Sequence, residues 1–498
     1  CERWAHENIV LIGDSAHTAH FSIGSGTKLA MEDATALVTA FQKHGLNDVK
    51  GTLEAYQASR RVDVIKLQKA AQTSLEWFEN ADRYVHQTPA QFQFNLMTRS
   101  KRITYENLAL RDPALVRRAD EEFRVAQGAA LASDGVPAPP AFTALKVGGL
   151  ELPNRIVVSP MCQYSATDGL IDDWHLVHLG SRAVGGAGLV VTEMTNVSAD
   201  GRITPGCAGL YTDEHTAAWK RVVEFVHAHS PAKIAIQLAH AGRKGSTSHS
   251  WENADAPLDQ GSWQTIGPDA EAFRPGWPAP KQMDREDMDR VRDEFLAATL
   301  RAEEAGFDLL ELHMAHGYLL SSFLSPLSNS RDDEYGGSLE NRLRYPLEVL
   351  EVVRAAWPAH KPLACRISAS DWHPEGLSVE DAVEISKALH AAGCELIDVS
   401  SAGNSLDSKP VYGRMYQVPF AERIKQETDA LVMAVGGIQG ADHANTVLAA
   451  GRADLCALAR PHLADPYLTL HAAERYDFPD QAWPGQYLMG KSPLEPRE

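Results

Sequence analysis

The chain has 498 residues, 44% of them hydrophobic and 23% charged, the balance of a folded protein long enough for more than one domain. A net charge of −19 with no basic tract argues against nucleic-acid binding, and no uncharged apolar stretch approaches the roughly eighteen residues of a membrane span. The six cysteines (1, 162, 207, 365, 394 and 456) show no paired spacing, which suits reduced thiols in a cytoplasmic enzyme better than a disulfide framework.

The chain opens on Cys1, with neither Met nor signal peptide, and soon enters the apolar run Asn8-Ile9-Val10-Leu11-Ile12, read as a buried strand. So abrupt a start is expected of the C-terminal part of something longer. Gly13-Asp14-Ser15-Ala16-His17 and a second loop, Gly24-Ser25-Gly26, follow. Helical patterns are expected over 27–43, 51–75 and near 100–125. The composition of 127–140, small residues and then prolines, is that of a linker.

Beyond it the rhythm changes. Short apolar runs at 156–160, 189–194, 233–238, 307–313, 363–368, 396–401, 431–437 and 454–460 alternate with stretches of helical periodicity that end at glycine. Continuous apolar runs between amphipathic helices imply parallel strands covered by helices. Eight such units predict an α/β fold, a (βα)8 barrel with insertions, with a doubly wound open sheet as the alternative. The connection between Leu238 and Asp284 is too long for a plain barrel and is expected to be a lid or binding loop. Trp251, Trp263 and Trp277 lie in it and would be costly to leave in water.

Barrel sites form where strands end. The fourth run ends in His313-Met314-Ala315-His316-Gly317-Tyr318, two imidazoles and a phenol that can meet one small acceptor. Zinc ligation by the two histidines, or two ordinary surface histidines, are the alternatives. The first run ends in Pro160-Met161-Cys162-Gln163-Tyr164, the second in Glu193-Met194, and the third carries Gln237 followed by His240-Ala241-Gly242-Arg243-Lys244. Arg366 closes the fifth run and needs an anionic ligand or a carboxylate at the mouth. Gly436-Gly437 after the seventh run and Ala459-Arg460 after the eighth match a barrel phosphate site, with glycines for a tight turn as the alternative. Gln237 can both donate to and accept from a pyrimidine edge. A phosphorylated, anion-forming heterocycle over the barrel, with histidines above it for a second molecule, describes FMN.

With these motifs in place, residues from about 142 to 490 resemble the old yellow enzyme family of flavin-dependent ene-reductases, particularly its cysteine-containing branch. The motifs are Ser159-Pro160-Met161-Cys162-Gln163-Tyr164, Gln237-Leu238-Ala239-His240-Ala241-Gly242-Arg243, His313-x-x-His316-Gly317-Tyr318, Arg331-x-Asp333-x-Tyr335-Gly336-Gly337-Ser338-x-x-Asn341-Arg342 and Arg366-x-Ser368. The resemblance implies FMN and NAD(P)H as cofactors, with Pro160, Met161, Cys162, Met194, Gln237 and Arg366 around the flavin and Gly436, Gly437, Ala459 and Arg460 at its phosphate end. It also implies that His313 and His316 hold a substrate carbonyl, that Tyr164 lines the substrate site, and that Tyr318 supplies a proton to the α-carbon. Cys162 would tune the flavin; an inert core thiol is the alternative. The branch often carries an arginine near the C-terminus that reaches a neighbouring subunit. The stretch Gln486-Tyr487-Leu488-Met489-Gly490-Lys491 lacks it, so any homo-oligomer is not expected to share a site in that way. No cysteine follows Cys456 to form the iron–sulfur segment of dienoyl-CoA reductases.

The segment around Gly13-Asp14-Ser15-Ala16-His17 resembles the second FAD motif of aromatic hydroxylases, which implies that Asp14 binds the FAD ribose in a complete parent protein. The first FAD motif, Gly-x-Gly-x-x-Gly, is not found in the chain, so FAD is not expected to be held here alone. The combination resembles the bifunctional salicylyl-CoA 5-hydroxylase and 2-aminobenzoyl-CoA monooxygenase/reductase family. The expected domains are therefore a hydroxylase fragment (1–126), a linker (127–140), an FMN barrel (141–490) and a tail (491–498). The expected function is NAD(P)H-dependent reduction of an aromatic or enoyl substrate, most naturally a CoA thioester. A barrel that supplies electrons without ene-reduction, and a flavin-free scaffold, are the competing readings.

Overall fold

Each of the eight apolar runs forms a strand, and the eight close into a parallel barrel in the computed structural model, which describes residues 1–253 and 256–491. The strands are β1 (Ile156–Val158), β2 (Leu189–Asn196), β3 (Lys233–Ala239), β4 (Leu309–Met314), β5 (Leu363–Ser368), β6 (Leu396–Ser400), β7 (Leu431–Val435) and β8 (Leu455–Leu458). They pair in sequence order, and β8 pairs with β1 to close the ring. The open-sheet alternative is thereby excluded. All described expectations past residue 491 lie outside the described residues.

Strand residues alternate between two cores, as a two-residue period demands. Leu310, Leu312, Met314, Cys365 and Ile367 face outward into the layer of helices, beside Trp219, Phe295 and Tyr345. Val157, Leu189, Val191, Ala235, Leu309, Ala364, Leu396, Met433 and Leu455 face inward and meet Leu145, Val147 and Leu152 of a hairpin formed by Leu145–Val147 and Leu150–Leu152. That hairpin closes the N-terminal end of the barrel with apolar side chains, so polar inward positions are confined to the other end. The covering helices start at side-chain caps: Asp172, Thr212, Asp284, Ser338 and Ser378 each accept a backbone N–H in the first turn.

The chain divides into two compact units, Cys1–Ala119 and Asp120–Glu498. In the first, helices Gly26–His44 and Val49–Glu79 bury Leu29, Tyr56 and Val64 with Trp4 and Ala16. The expected buried strand at 8–12 is corrected: the strand covers Ile9–Val10 alone, paired with Ala5–His6, and Ile9 is 63% exposed. A two-residue ladder offers no sheet face to cover it. Among the described residues no helix is long and apolar enough to cross a membrane.

Candidate active site

At the C-terminal end of the barrel, the inward positions change character layer by layer. Along β4 they read Leu309, Glu311, His313; along β5 Ala364, Arg366, Ser368; along β6 Leu396, Asp398, Ser400. The register aligns Gln237 with Glu311, His313 with Arg366, Arg366 with Asp398, and Ser368 with Ser400. An apolar floor is thus followed by a polar layer (Gln237, Glu311, Arg366, Asp398) and then by a mouth lined by His313, Ser368 and Ser400. All four polar-layer residues are buried.

Within that layer Gln237 Nε2 donates to Glu311 Oε1 at 2.7 Å, and Arg366 Nε lies 3.1 Å from Asp398 Oδ2. The carboxylate that Arg366 requires is therefore Asp398. Neither Glu311 nor Asp398 was anticipated from the sequence, although both stand at the inward phase of their strands. Burial, then the nearby Asp398, raises the Glu311 carboxyl to about 8 against the pull of Arg366 and Gln237. Burial raises the Asp398 carboxyl as well, opposed by the adjacent Arg366 guanidinium.

Above this layer the two histidines and the tyrosine do converge. The His313 and His316 rings are 5.1 Å apart and those of His313 and Tyr318 5.2 Å. His313 is buried, and its Nδ1 has no hydrogen-bond partner among the described residues. His316 has a left-handed backbone, φ 63°, and is fixed from three sides. Its N–H donates to Ser368 Oγ at 2.9 Å, its Nε2 lies 2.6 Å from Ser400 Oγ, and its carbonyl accepts from Lys244 Nζ at 2.7 Å. Gly403, φ 102°, packs directly against the His316 backbone, where a Cβ would overlap it. The loops after β4 and β6 are locked together there. Burial and then Arg366 hold both imidazoles well below their ordinary range, so both are neutral at neutral pH. Among the described residues no group of three His, Cys, Asp or Glu side chains could hold a metal ion.

Tyr318 lies under the Lys244 ammonium, 5.0 Å from ring centroid to Nζ. It packs with Cys162 and Tyr164 against Met194, Ile203, Cys207, Ala239 and Ala241, so the ends of β1, β2 and β3 meet the loop after β4. Met161 is half-buried against the outer core, and Pro160 is half-buried beside it. Burial, then Glu193, pushes the Cys162 thiol well up, so the group is a protonated thiol. The Glu193 carboxylate accepts the Gln163 N–H at 3.0 Å and sits 3.1 Å from His175 Nε2, which fixes the turn after β1.

Gly436 and Gly437, φ 100° and 70°, turn the chain sharply after β7. A Cβ on Gly436 would overlap the Gln417 amide, which itself accepts from Ser401 Oγ at 2.6 Å and donates to the Val435 carbonyl at 2.9 Å. Tight-turn geometry and a bare backbone are both present. Arg460 is exposed at the start of the helix Arg460–Ala464, just after Ala459, and among the described residues no carboxylate lies within ion-pair distance of it. Burial and then Tyr412 raise the Tyr416 phenol, opposed by the charges of Arg460 and Arg366.

The long connection after β3 covers this mouth with aromatic groups. His249 stacks on Trp251 at 5.1 Å, and Trp251 lies 5.7 Å from the Tyr164 ring yet stays 65% exposed, contrary to the expectation that it would be buried. Trp263 is half-buried and donates to the Asp200 carbonyl at 2.9 Å, and Phe273 sits under Lys244 Nζ at 4.6 Å. In the first unit Asp14 is exposed, and its loop is pinned by the buried Asp33, which accepts from Gly13 N at 2.9 Å and lies 2.7 Å from His17 Nε2.

Residues 140–477 match the NADH:flavin oxidoreductase / NADH oxidase family, and residues 1–71 match an FAD binding domain. An NADPH dehydrogenase from Geobacillus sp. is 44% identical over 335 residues, covering 67% of this chain and 93% of its own. An NADH:flavin oxidoreductase from Gibberella zeae is 43% identical over 329 residues, covering 62% of this chain and 79% of its own. Among solved structures, a 2-naphthoyl-CoA reductase complex with 2-naphthoyl-CoA aligns with a TM-score of 0.62 at 25% identity, over 68% of this chain and 52% of that one. Morphinone reductase in complex with tetrahydroNAD aligns with a TM-score of 0.57 at 28% identity, over 69% of this chain and 92% of that one. The barrel, its strand-end residues and these likenesses agree: the chain belongs to the NADH:flavin oxidoreductase / NADH oxidase family, the old yellow enzymes, and its barrel is an NAD(P)H-dependent oxidoreductase.

Proposed function

We propose that the barrel is an FMN-dependent ene-reductase that acts on a carbon–carbon double bond conjugated to a carbonyl, in an enoyl or dearomatised aryl CoA thioester. The observation that carries this reading is the convergence of His313, His316 and Tyr318 on one mouth, directly above Gln237 and Arg366. The residues suit FMN in three respects. Arg366 is buried and ion-paired with Asp398, Gly436 and Gly437 leave their backbone bare at a sharp turn, and Arg460 is an exposed cation that no carboxylate among the described residues pairs with. In this reading Gln237 and Arg366 hold the ring, with Pro160, Met161, Cys162 and Met194 along its edge, and Gly436, Gly437, Ala459 and Arg460 hold the phosphate. FMN bound there would supply two-electron hydride chemistry between NAD(P)H and an acceptor.

The chain's own side chains do the rest. His313 and His316 are neutral and therefore present N–H donors to a substrate carbonyl oxygen without forming an ion pair with it. The carbonyl thereby withdraws electrons from the double bond and prepares the β-carbon for attack. Tyr318 holds a proton for the α-carbon, with Lys244 above its ring favouring release. Tyr164 and Trp251 wall the site.

The CoA thioester assignment rests on the front unit. Its match to an FAD binding domain beside a reductase barrel is the arrangement of the salicylyl-CoA 5-hydroxylase and 2-aminobenzoyl-CoA monooxygenase/reductase family. Asp14 is then the ribose contact of an FAD held by the complete parent. A cytoplasmic setting suits both cofactors. The test is to separate the two half-reactions in Tyr318→Phe. Flavin reduction by NAD(P)H should persist at the wild-type rate while reoxidation by substrate slows by about 10²-fold or more. Equal loss of both half-reactions would overturn the assignment of Tyr318.

A further inference from the structure

The polar layer beneath the mouth contains two carboxyl groups that the reaction itself does not use. Glu311 and Asp398 are both fully buried, and each touches one residue placed against the flavin ring: Glu311 Oε1 accepts from Gln237 Nε2 at 2.7 Å, and Asp398 Oδ2 lies 3.1 Å from Arg366 Nε. Strand register imposes both contacts, because Glu311 is the lateral partner of Gln237 and Asp398 that of Arg366. Stability does not account for them. A buried ionic layer is commonly no better than apolar packing of the same volume, and the layer just below is entirely apolar.

Orientation does account for them. A carboxamide can face two ways, and its Nε2 donates sideways to Glu311 within the layer, which leaves Oε1 for the mouth and for a ring N–H. A guanidinium whose Nε edge is ion-paired with Asp398 at 3.1 Å turns its two terminal nitrogens away from that carboxyl. We propose that Glu311 and Asp398 are positioning residues, Glu311 setting which face the Gln237 amide presents to the flavin and Asp398 setting the direction and net charge of Arg366. The inference rests on the FMN reading above. Burial and the proximity of Asp398 raise the Glu311 carboxyl to about 8 and keep it protonated at neutral pH, so Asp398 is the carboxyl that faces the guanidinium. Asp398 beside Arg366 would offset part of the positive charge that the guanidinium presents to the flavin.

The experiment uses the full chain with Glu311→Gln, Glu311→Leu and Asp398→Asn, checks each fold by circular dichroism, and measures FMN affinity and the two-electron midpoint potential. Glu311→Gln retains an acceptor and should bind FMN within about twofold of wild type, whereas Glu311→Leu should bind about tenfold more weakly. Asp398→Asn keeps an oxygen against Arg366 but removes its charge. It should raise the potential by about 30 mV, the equivalent of a tenfold shift for a two-electron couple. A merely structural role would not move the potential upward. Wild-type affinity in Glu311→Leu, or a potential at or below wild type in Asp398→Asn, overturns the proposal. Failure of the wild-type chain to bind FMN would instead overturn the functional reading on which it rests.

Discussion

The Lys244 ammonium sits 5.0 Å above the Tyr318 ring while its Nζ donates to the His316 carbonyl at 2.7 Å and the Gly403 carbonyl at 3.2 Å. One cation thus ties the strand-four cluster to the loop after β6 and stabilises negative charge on the phenol. Lys244→Met should therefore slow substrate-driven reoxidation by about tenfold, with NAD(P)H-driven reduction unchanged. Stopped-flow measurement of the two half-reactions decides; equal effects on both would contradict the assignment.

Ser400 fixes the His316 ring through a 2.6 Å contact at Nε2. Ser400→Ala leaves the imidazole free to rotate away from the carbonyl it is to hold. The expected result is a rise of about three- to tenfold in KM for substrate, matching the roughly 1 kcal/mol of a typical hydrogen bond. FMN content should not change.

Gly403 has φ 102° and lies where any side chain would overlap the His316 backbone. Gly403→Ala should destabilise the protein by about 2 kcal/mol or more, through left-handed strain and steric overlap together. Thermal melting reads this directly. A melting temperature equal to that of wild type would mean that the loops after β4 and β6 are not locked as described.

The carboxyl of Glu311 gives a stability signature. Its folded pKa of about 8 lies above the ordinary 4.5 of an unfolded chain. Ionisation of the unfolded state therefore disfavours folding progressively from about pH 4.5 to 8, by at most about 1.4 kcal/mol per pH unit. The group costs nothing below that window, and above it the penalty is constant. The groups around it are Gln237 on β3, Arg366 on β5 and Asp398 on β6, and Gln at 311 leaves these in place while removing the titration. The stability of Glu311→Gln relative to wild type should rise between pH 5 and pH 7.5 in urea melts. An unchanged difference would contradict the raised pKa. The two histidines, held neutral, should by contrast leave substrate affinity flat between pH 6 and 8.

The barrel is legible in the chain because parallel strands buried on both faces are uninterrupted apolar runs, and all eight runs mark strands. The mouth is legible because chemistry collects at strand ends, which placed His313, His316, Tyr318 and Arg366 before any coordinates. Glu311, Asp398 and Ser400 were not foreseen, since each sits inside an apolar run and was absorbed into the strand pattern. Counting by twos back from His313 reaches Glu311, and from Ser400 reaches Asp398, so the inward phase was the missing signal. Gln417 and Lys244 are different: their roles depend on loops that cross from other strands, and no local periodicity encodes such a crossing. Asn8–Ile12 misled in the opposite direction, because apolar composition alone does not supply a neighbouring sheet.

The most direct measurement is the anaerobic mixing of the chain, loaded with FMN and reduced by NAD(P)H, with 2-cyclohexenone. The account predicts rapid reoxidation of the flavin with formation of cyclohexanone, slowed in Tyr318→Phe. A flavin that is reduced by NAD(P)H but stays reduced in the presence of the enone would contradict it, and would mark the barrel as a source of electrons rather than an ene-reductase.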